Sequence, residues 1–264
     1  MELSTFELLV KPIAPRNGDL TIKAVARRVV QGYFLTISNL ESVDLTFNLD
    51  FFISIPDSAD ANRSLRDNAV LIYDIAGNNN FIPLIEIVTD RQFSGSFVLP
   101  AGQTASVELL PNATLFTNAD PMFEVRGYVS LTLPALFNFE TFRFEPQRKM
   151  PVQVLLNPEI RGTFLPNGYP QDLGGDFDQI NYSLAIASGK ALNEIKPEKG
   201  FPIWFELFNP DVLNDLRTKL EFRLQNASPL AKAQALAELS AKASTTSSNA
   251  QNFGELITNL TIPG

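Results

Sequence analysis

The chain has 264 residues, with 21 basic and 29 acidic side chains, and it contains neither cysteine nor histidine. The lack of both residue types excludes thiolate nucleophiles and serine–histidine triads, and it removes the side chains that bind most protein zinc. The net charge of −8 argues against a nucleic-acid partner, because phosphate binding requires clustered lysine and arginine.

Short candidate strands follow one another from the N-terminus, separated by turn-forming residues such as Asn17-Gly18 and Pro100-Ala101-Gly102. They occupy residues 6–10, 20–26, 33–38, 45–55, 70–75, 81–88, 93–99, 104–110, 123–133, 139–144 and 152–156. The hairpin sequence FVLPAGQTASVELLP, residues 97–111, resembles strand–turn–strand hairpins of bacterial immunoglobulin-like modules. This resemblance implies a fold class and carries no activity.

Two of these segments have the strongest pattern. In residues 45–55 every odd position is apolar, and residues 123–133 repeat the pattern except at Gly127. Because successive side chains of a strand point to opposite faces, each segment predicts a strand with one buried face, as in antiparallel sheets. Phe52 interrupts the polar side of the first segment and is therefore a candidate contact with another subunit. Residues 1–156 are predicted to form a mainly β, antiparallel two-sheet sandwich of immunoglobulin-like or jelly-roll type.

Residues 157–226 are rich in glycine and proline, and they predict a loop-rich β extension of the sandwich. Strands are expected at residues 182–187 and 202–208. Residues 209–226 fit two structures. Asn209-Pro210 is a helix-start signal and leucines recur after it at helical spacing, but the alternation over residues 220–224 also fits a strand.

Residues 227–249 predict a helix from Ser228 to Ala243, rich in alanine, leucine, lysine and glutamate, followed by a polar linker. The final segment, residues 250–264, predicts a strand over residues 253–262. Because the linker separates this strand from the rest, we expect it to pair with the sandwich edge or with a neighbouring subunit. The candidate assembly residues are Phe52, Phe253, Leu256, Leu260 and Ile262.

Catalytic motifs are absent from the sequence: GxGxxG, GxxxxGK[ST], GxSxG and SxxK do not occur. Carboxylates remain, since glycoside hydrolysis requires only two of them. Glu86, Glu124 and Glu206 lie on predicted strands, where an outward-facing glutamate is also an ordinary surface residue. We therefore predict no catalytic residues.

Two weaker signals concern ligands. Asp172, Asp176 and Asp178 surround Gly174-Gly175 and are candidate calcium ligands, because calcium accepts oxygen ligands from such loops. A solvated turn is the alternative, and no other cofactor is expected. Trp204 and Tyr182 are a candidate glycan patch, although 21 phenylalanines against one tryptophan and five tyrosines favour packing over sugar binding.

These observations favour a non-catalytic structural protein, a β-sandwich subunit that self-associates into a particle, shell or filament. The alternatives are a glycan- or small-ligand-binding module, with calcium as an option, and a carboxylate-based glycoside hydrolase. The sequence shows neither a signal-peptide pattern nor an apolar run of membrane-span length. We therefore expect a cytoplasmic protein or a component of an assembled particle or surface structure.

Overall fold

The computed structural model describes residues 1–13, 27–54, 60–88, 91–117, 121–138, 141, 143–166, 169, 171, 175, 177–202, 210–228, 231–232, 234–239 and 250–260. The described part is mainly β and antiparallel, which confirms the predicted class. The strand predicted at residues 20–26 lies outside it.

The strands and helices have the following bounds. The strands are β1 (Glu2–Pro12), β2 (Arg28–Asn39), β3 (Leu45–Ile53), β4 (Ala69–Ile75), β5 (Asn78–Ile82), β6 (Ile85–Val88), β7 (Gln92–Leu99), β8 (Thr104–Pro111), β9 (Phe123–Thr132), β10 (Ala135–Asn138), β11 (Arg143–Pro146), β12 (Val152–Leu165), β13 (Asp178–Ser183), β14 (Leu192–Ile195) and β15 (Phe201–Pro202). The helices are α1 (Pro210–Leu224) and α2 (Ala250–Thr258), and residues 231–232 and 234–239 are also helical.

Strand β2 joins the two arms of the large sheet. It pairs with β12 along one side, whereas on the other side its first residues pair with β1 and its later residues with β8. One arm runs β1-β9-β3-β7-β6, and the other runs β8-β4-β5. The predicted pair of separate sheets is not confirmed, because hydrogen bonding through β2 makes one curled sheet, a half-barrel.

The concave side of this sheet holds the main core. Leu49 and Leu131 lie opposite each other on β3 and β9 and are fully buried, as the alternation predicts. The rings of Phe6, Tyr33 and Phe51 pack edge to face, with centroids 5.6 to 6.4 Å apart. Part of the high phenylalanine content is thus explained by packing inside the chain.

Strand β12 is longer than predicted. It continues past Asn157-Pro158 to Leu165 and therefore runs across residue 156, where the sequence changes composition. Proline is tolerated there because the Pro158 carbonyl oxygen accepts a hydrogen bond from Leu184 N–H, so its backbone faces the end of the β13 ladder and not β2. Its missing N–H therefore costs no hydrogen bond to β2.

A second apolar cluster joins the small sheet β10-β11-β15 to the helices. Its buried members are Ala135, Phe137, Phe144, Leu216, Leu220, Leu224, Ala235, Leu239, Ile257 and Leu260. The two structures left open for residues 209–226 are resolved in favour of the helix over Pro210–Leu224. The leucines spaced four residues apart lie on its buried face, whereas Phe222, which strand alternation would bury, is 76% exposed.

The strand predicted for residues 253–262 is wrong over its described part, because residues 253–258 belong to helix α2. Leu256, Ile257 and Leu260 are spaced for one helical face and pack into the second cluster. At the end of α2, the Arg223 guanidinium donates hydrogen bonds to the carbonyl oxygens of Thr258 and Leu260, at 2.5 and 2.8 Å. Ile262 lies outside the described residues. Leu256 and Leu260 thus contact their own chain.

Candidate functional site

A groove with a volume of about 500 Å³ lies between strands β1 and β9 and the β12–β13 hairpin. This volume is within the range of small-ligand sites. The lining residues are Thr5, Phe6, Glu7, Ser54, Arg126, Gly127, Tyr128, Ile160, Tyr182 and Leu184. Phe6 and Ile160 are buried and belong to the main core, so the groove has an apolar floor.

The divergence of the two arms creates this groove. The pairing of β1 with β2 covers Leu9–Pro12, and β2 then continues beside β8. On its other edge β1 pairs with β9 from Glu2 to Val10, which places Thr5 opposite Tyr128 and Glu7 opposite Arg126. On the far side, β13 places Tyr182 opposite Ile160 of β12.

Two tyrosines form the aromatic part of the rim. The exposed fractions of Tyr128 and Tyr182 are 45% and 46%. The Tyr128 ring stacks on Phe52 of β3, with the centroids 4.7 Å apart and the planes at 11°. Phe52, predicted as a subunit contact, therefore supports one face of the Tyr128 ring, and its role in assembly stays a prediction.

Gly127 keeps β9 close to its neighbours beneath the rim. A Cβ atom at this position would clash with the Phe52 carbonyl oxygen and press on the Phe6 ring. The absence of a side chain thus allows β3 and β9 to approach and leaves the floor of the groove open.

An ion pair forms the polar part of the groove. The Arg126 guanidinium pairs with the Glu7 carboxylate, which also accepts a hydrogen bond from the Gln31 amide at 3.1 Å. The hydrogen bond to Glu7 is the main cause that raises the pKa of Arg126. Burial, and then the charge of Glu7, raises the pKa of Tyr182. Positive and negative charge therefore lie together beside two phenol groups.

Glu124, one of the candidate carboxylates, is held by three cations next to this groove. Its side chain is 7% exposed, and its oxygens lie 2.6 Å from Lys11 Nζ and 2.7 Å from Arg63 Nη1 and also pair with Arg126. Burial opposes ionisation, but the hydrogen bonds from Lys11 and Arg63 and the charges of Lys11 and Arg126 prevail, and they lower the pKa to about 2. Such a carboxylate stays ionised at neutral pH and is unsuited to donating a proton.

The other two candidate carboxylates do not join it. Glu86 pairs with Arg66 Nη2, which lies 2.6 and 2.7 Å from the two carboxylate oxygens. Glu206 lies outside the described residues. The three glutamates proposed from the sequence are thus not brought together in the described part of the chain.

Sequence reasoning missed two carboxylates with raised pKa values. Burial raises the pKa of Asp50 on β3, partly offset by Ser94 and Gln92. Burial also raises the pKa of Glu198, and the charge of Asp50 adds to this effect. Alternation places Asp50 on the polar side of β3 but gives no sign that this side is covered, as the buried neighbours Asn48 and Ser94 show.

The candidate calcium ligands are only partly described. The Asp178 carboxylate pairs with the Arg27 guanidinium, whereas Asp172 and Asp176 lie outside the described residues. Calcium binding in this loop stays a prediction. Trp204 also lies outside the described residues, and the aromatic partner that the structure brings to Tyr182 across the groove is Tyr128.

The chain matches no protein-family model, no curated protein and no solved structure. In the described ranges, no helix has both the length and the apolar character needed to cross a lipid bilayer.

Proposed function

We propose that the protein binds a neutral carbohydrate in the groove between β1–β9 and the β12–β13 hairpin. The observation that carries this proposal is the presence of two half-exposed tyrosines, Tyr128 and Tyr182, on one cavity of about 500 Å³. A sugar ring presents apolar C–H faces to aromatic rings and hydroxyls to polar groups. Tyrosine suits both contacts, because its ring is apolar and its hydroxyl is polar.

The charges of the groove favour an uncharged ligand. Glu7 and Arg126 neutralise each other, so neither offers an unpaired charge to an anion or a cation. The carboxylate and guanidinium still provide acceptors and donors for sugar hydroxyls, and Thr5 and Ser54 add two further hydroxyls.

Binding is favoured over hydrolysis. Glycoside hydrolysis requires two carboxyl groups on either side of the scissile bond. Among the described residues that line the groove, Glu7 is the one carboxylate, and it is paired with Arg126. We therefore propose a binding module.

The C-terminal segment no longer favours the assembly hypothesis. This hypothesis depended on a C-terminal strand without a place in its own sheet, but this segment is helix α2 and packs into the second cluster. Helix α2 thus gives no support to assembly through a C-terminal strand, and self-association itself stays a prediction.

The test is a screen of neutral oligosaccharides on a glycan array, followed by titration calorimetry of the ligands that bind. Tyr128→Ala and Tyr182→Ala should each weaken binding at least about tenfold, equivalent to about 1.4 kcal/mol. Phe222→Ala, which truncates an aromatic residue on α1 far along the chain, is the matched control and should leave affinity unchanged.

Two results would contradict the proposal. One is the absence of binding across the array by a folded protein, and the other is equal binding by the parent and both tyrosine variants. Cleavage of a bound glycan that is lost in Glu7→Gln would instead support the hydrolase alternative.

A further inference from the structure

We propose that strand β5 pairs edge to edge with β5 of a second copy of the chain, which forms a two-fold symmetric dimer. This proposal is independent of carbohydrate binding. It depends on a contrast between the two strands that end the arms of the large sheet.

The two terminal strands differ in protection against pairing. Strand β6 has a register shift between Glu86 and Val88 and carries the Glu86–Arg66 ion pair, whereas Pro83 lies in the connection between β5 and β6. Bulges, charges and prolines are the features by which proteins block edge-to-edge association. Strand β5 has the sequence Asn78-Asn79-Asn80-Phe81-Ile82, with no charge and no proline, and pairs with β4 in unbroken register.

The hairpin geometry determines which backbone groups of β5 face outward. Its two-residue turn, Ala76-Gly77, has φ values of 61° and 92°, as in a type I′ turn, which makes Ile75 and Asn78 a hydrogen-bonded pair. Because such pairs alternate, the N–H and C=O groups of Asn79 and Phe81 point away from β4. In the described part of the chain, no strand pairs with this side of β5.

The side chains beside this edge are also suited to contact. Phe81 is 68% exposed and lies directly across from Ile72 of β4 on the convex face of the sheet. An exposed phenylalanine backed by an isoleucine at the end of a sheet is an apolar surface that association would cover.

A second copy fits this edge better than an unrelated strand. With Asn80 on the two-fold axis, Asn79 of each copy lies opposite Phe81 of the other, and the outward groups form four hydrogen bonds. The two Phe81 rings become diagonal neighbours on one face, about 7–8 Å apart and within reach of each other. The strand itself is uncharged, so the net charge of −8 is not concentrated at the contact.

The first test is the mass of the full chain in solution, measured by light scattering over a range of concentrations. We expect a dimer that Phe81→Lys converts to a monomer, whereas Phe222→Lys, at another exposed phenylalanine, leaves it intact. Asn79→Pro should also give a monomer with an unchanged circular dichroism spectrum, because it removes an N–H that faces away from β4.

The second test uses the absence of cysteine from the chain. On the two-fold axis, Asn80→Cys places two Cα atoms about 4.5 Å apart, within the range of about 4.4–6.8 Å for disulfides. Oxidation should therefore give a covalent dimer. Asn78→Cys is the control, because its two copies would lie about four residue spacings apart, roughly 13 Å, and should not cross-link.

Each outcome decides the proposal. A monomeric parent protein, a dimer that persists in Phe81→Lys, or equal cross-linking of both cysteine variants would overturn it. If Phe81→Lys fails to fold, the contrast between the two cysteine variants gives the answer.

Discussion

Ala76 adopts a left-handed backbone conformation, with a φ of 61°, in the turn between β4 and β5. An alanine in this region is strained by about 1–2 kcal/mol, because its Cβ approaches a carbonyl oxygen. Asparagine tolerates the same conformation and is favoured before glycine in type I′ turns. The turn is thus a weak point of the hairpin that provides the proposed dimer contact.

We expect Ala76→Asn to raise the free energy of unfolding by about 1 kcal/mol, measured by urea denaturation. Ala101→Asn is the control, since Ala101 is not left-handed and a surface change there should stay within about 0.5 kcal/mol. A lower denaturation midpoint for Ala76→Asn would contradict the turn assignment.

The lowered pKa of Glu124 predicts that the free energy of unfolding depends on pH. Its pKa is lowered from 4.5 to about 2 in the folded chain, so its stabilising contribution is present above pH 4.5 and is lost as the pH falls toward 2. Glu124→Gln should lower the free energy of unfolding at pH 7 by about 2 kcal/mol, a value typical of charged hydrogen bonds. The difference from the parent should shrink in acid.

The control is Glu221→Gln, at the exposed Arg217–Glu221 pair of α1, where the change should be below about 0.5 kcal/mol. If the Glu124→Gln difference stayed constant between pH 7 and pH 2.5, the lowered pKa would be refuted.

The face of the sheet on which Glu124 and Tyr128 lie could be predicted from the sequence, but the residues that surround them could not. Alternation along β9 correctly places Glu124 and Tyr128 on the face away from the main core. Two of the three cations that bind Glu124, Lys11 and Arg63, come from β1 and from a short helical turn at Ala61–Arg63, both distant in sequence. Tyr128 and Tyr182 likewise line one groove only because of the paths of β1, β9, β12 and β13.

At the scale of single elements, α2 shows how alternation can mislead. Leu256, Thr258, Leu260 and Ile262 suggest one face of a strand, but Ile257 lies between them and is fully buried. Ile257 forms the helical face together with its neighbours one turn away. A segment this short fits both periods, and packing against α1 selects the helix.

We expect Ile257→Ala to destabilise the helical cluster by about 3 kcal/mol, because it leaves a cavity among α1, α2 and the small sheet. The measurement is hydrogen exchange of the amides in α1. Glu255→Ala on the exposed side of α2 is the control and should leave exchange unchanged. Protection of α1 that is equal in Ile257→Ala and the parent would mean that the tail does not pack there.

At the scale of the whole molecule, the two apolar clusters predict separate responses to mutation. Leu49→Asp places a carboxylate in the main core and should abolish folding of the curled sheet, seen as loss of the far-ultraviolet circular dichroism signal. Leu220→Asp places the same charge in the second cluster.

Hydrogen exchange of Leu220→Asp should show lost protection in α1 and retained protection in β3 and β9. Leu49→Asp, which places the same charge in the main core, is the variant with which Leu220→Asp is compared. Loss of protection in β3 after Leu220→Asp would show that the clusters unfold as one cooperative unit.

The antiparallel class could be predicted because strands 45–55 and 123–133 show their buried faces locally. The junction at β2 could not, because it depends on pairing with β12, whose residues lie more than a hundred positions later. Alternation indicates which face of a strand is buried but does not show which strands pair with it. The groove is a consequence of that junction, so no local pattern indicates it.

The shared strand β2 also has a consequence for synthesis on the ribosome. Its partner along one whole side, β12, ends at Leu165, so β2 emerges long before that partner exists. Until then the edge of β2 that will face β12 is unpaired and is open to incorrect association with other chains. Correct folding of the nascent chain therefore depends on the late pairing of β12 with β2. Translation pauses before Leu165 would lengthen the time during which this edge of β2 is exposed to chaperones.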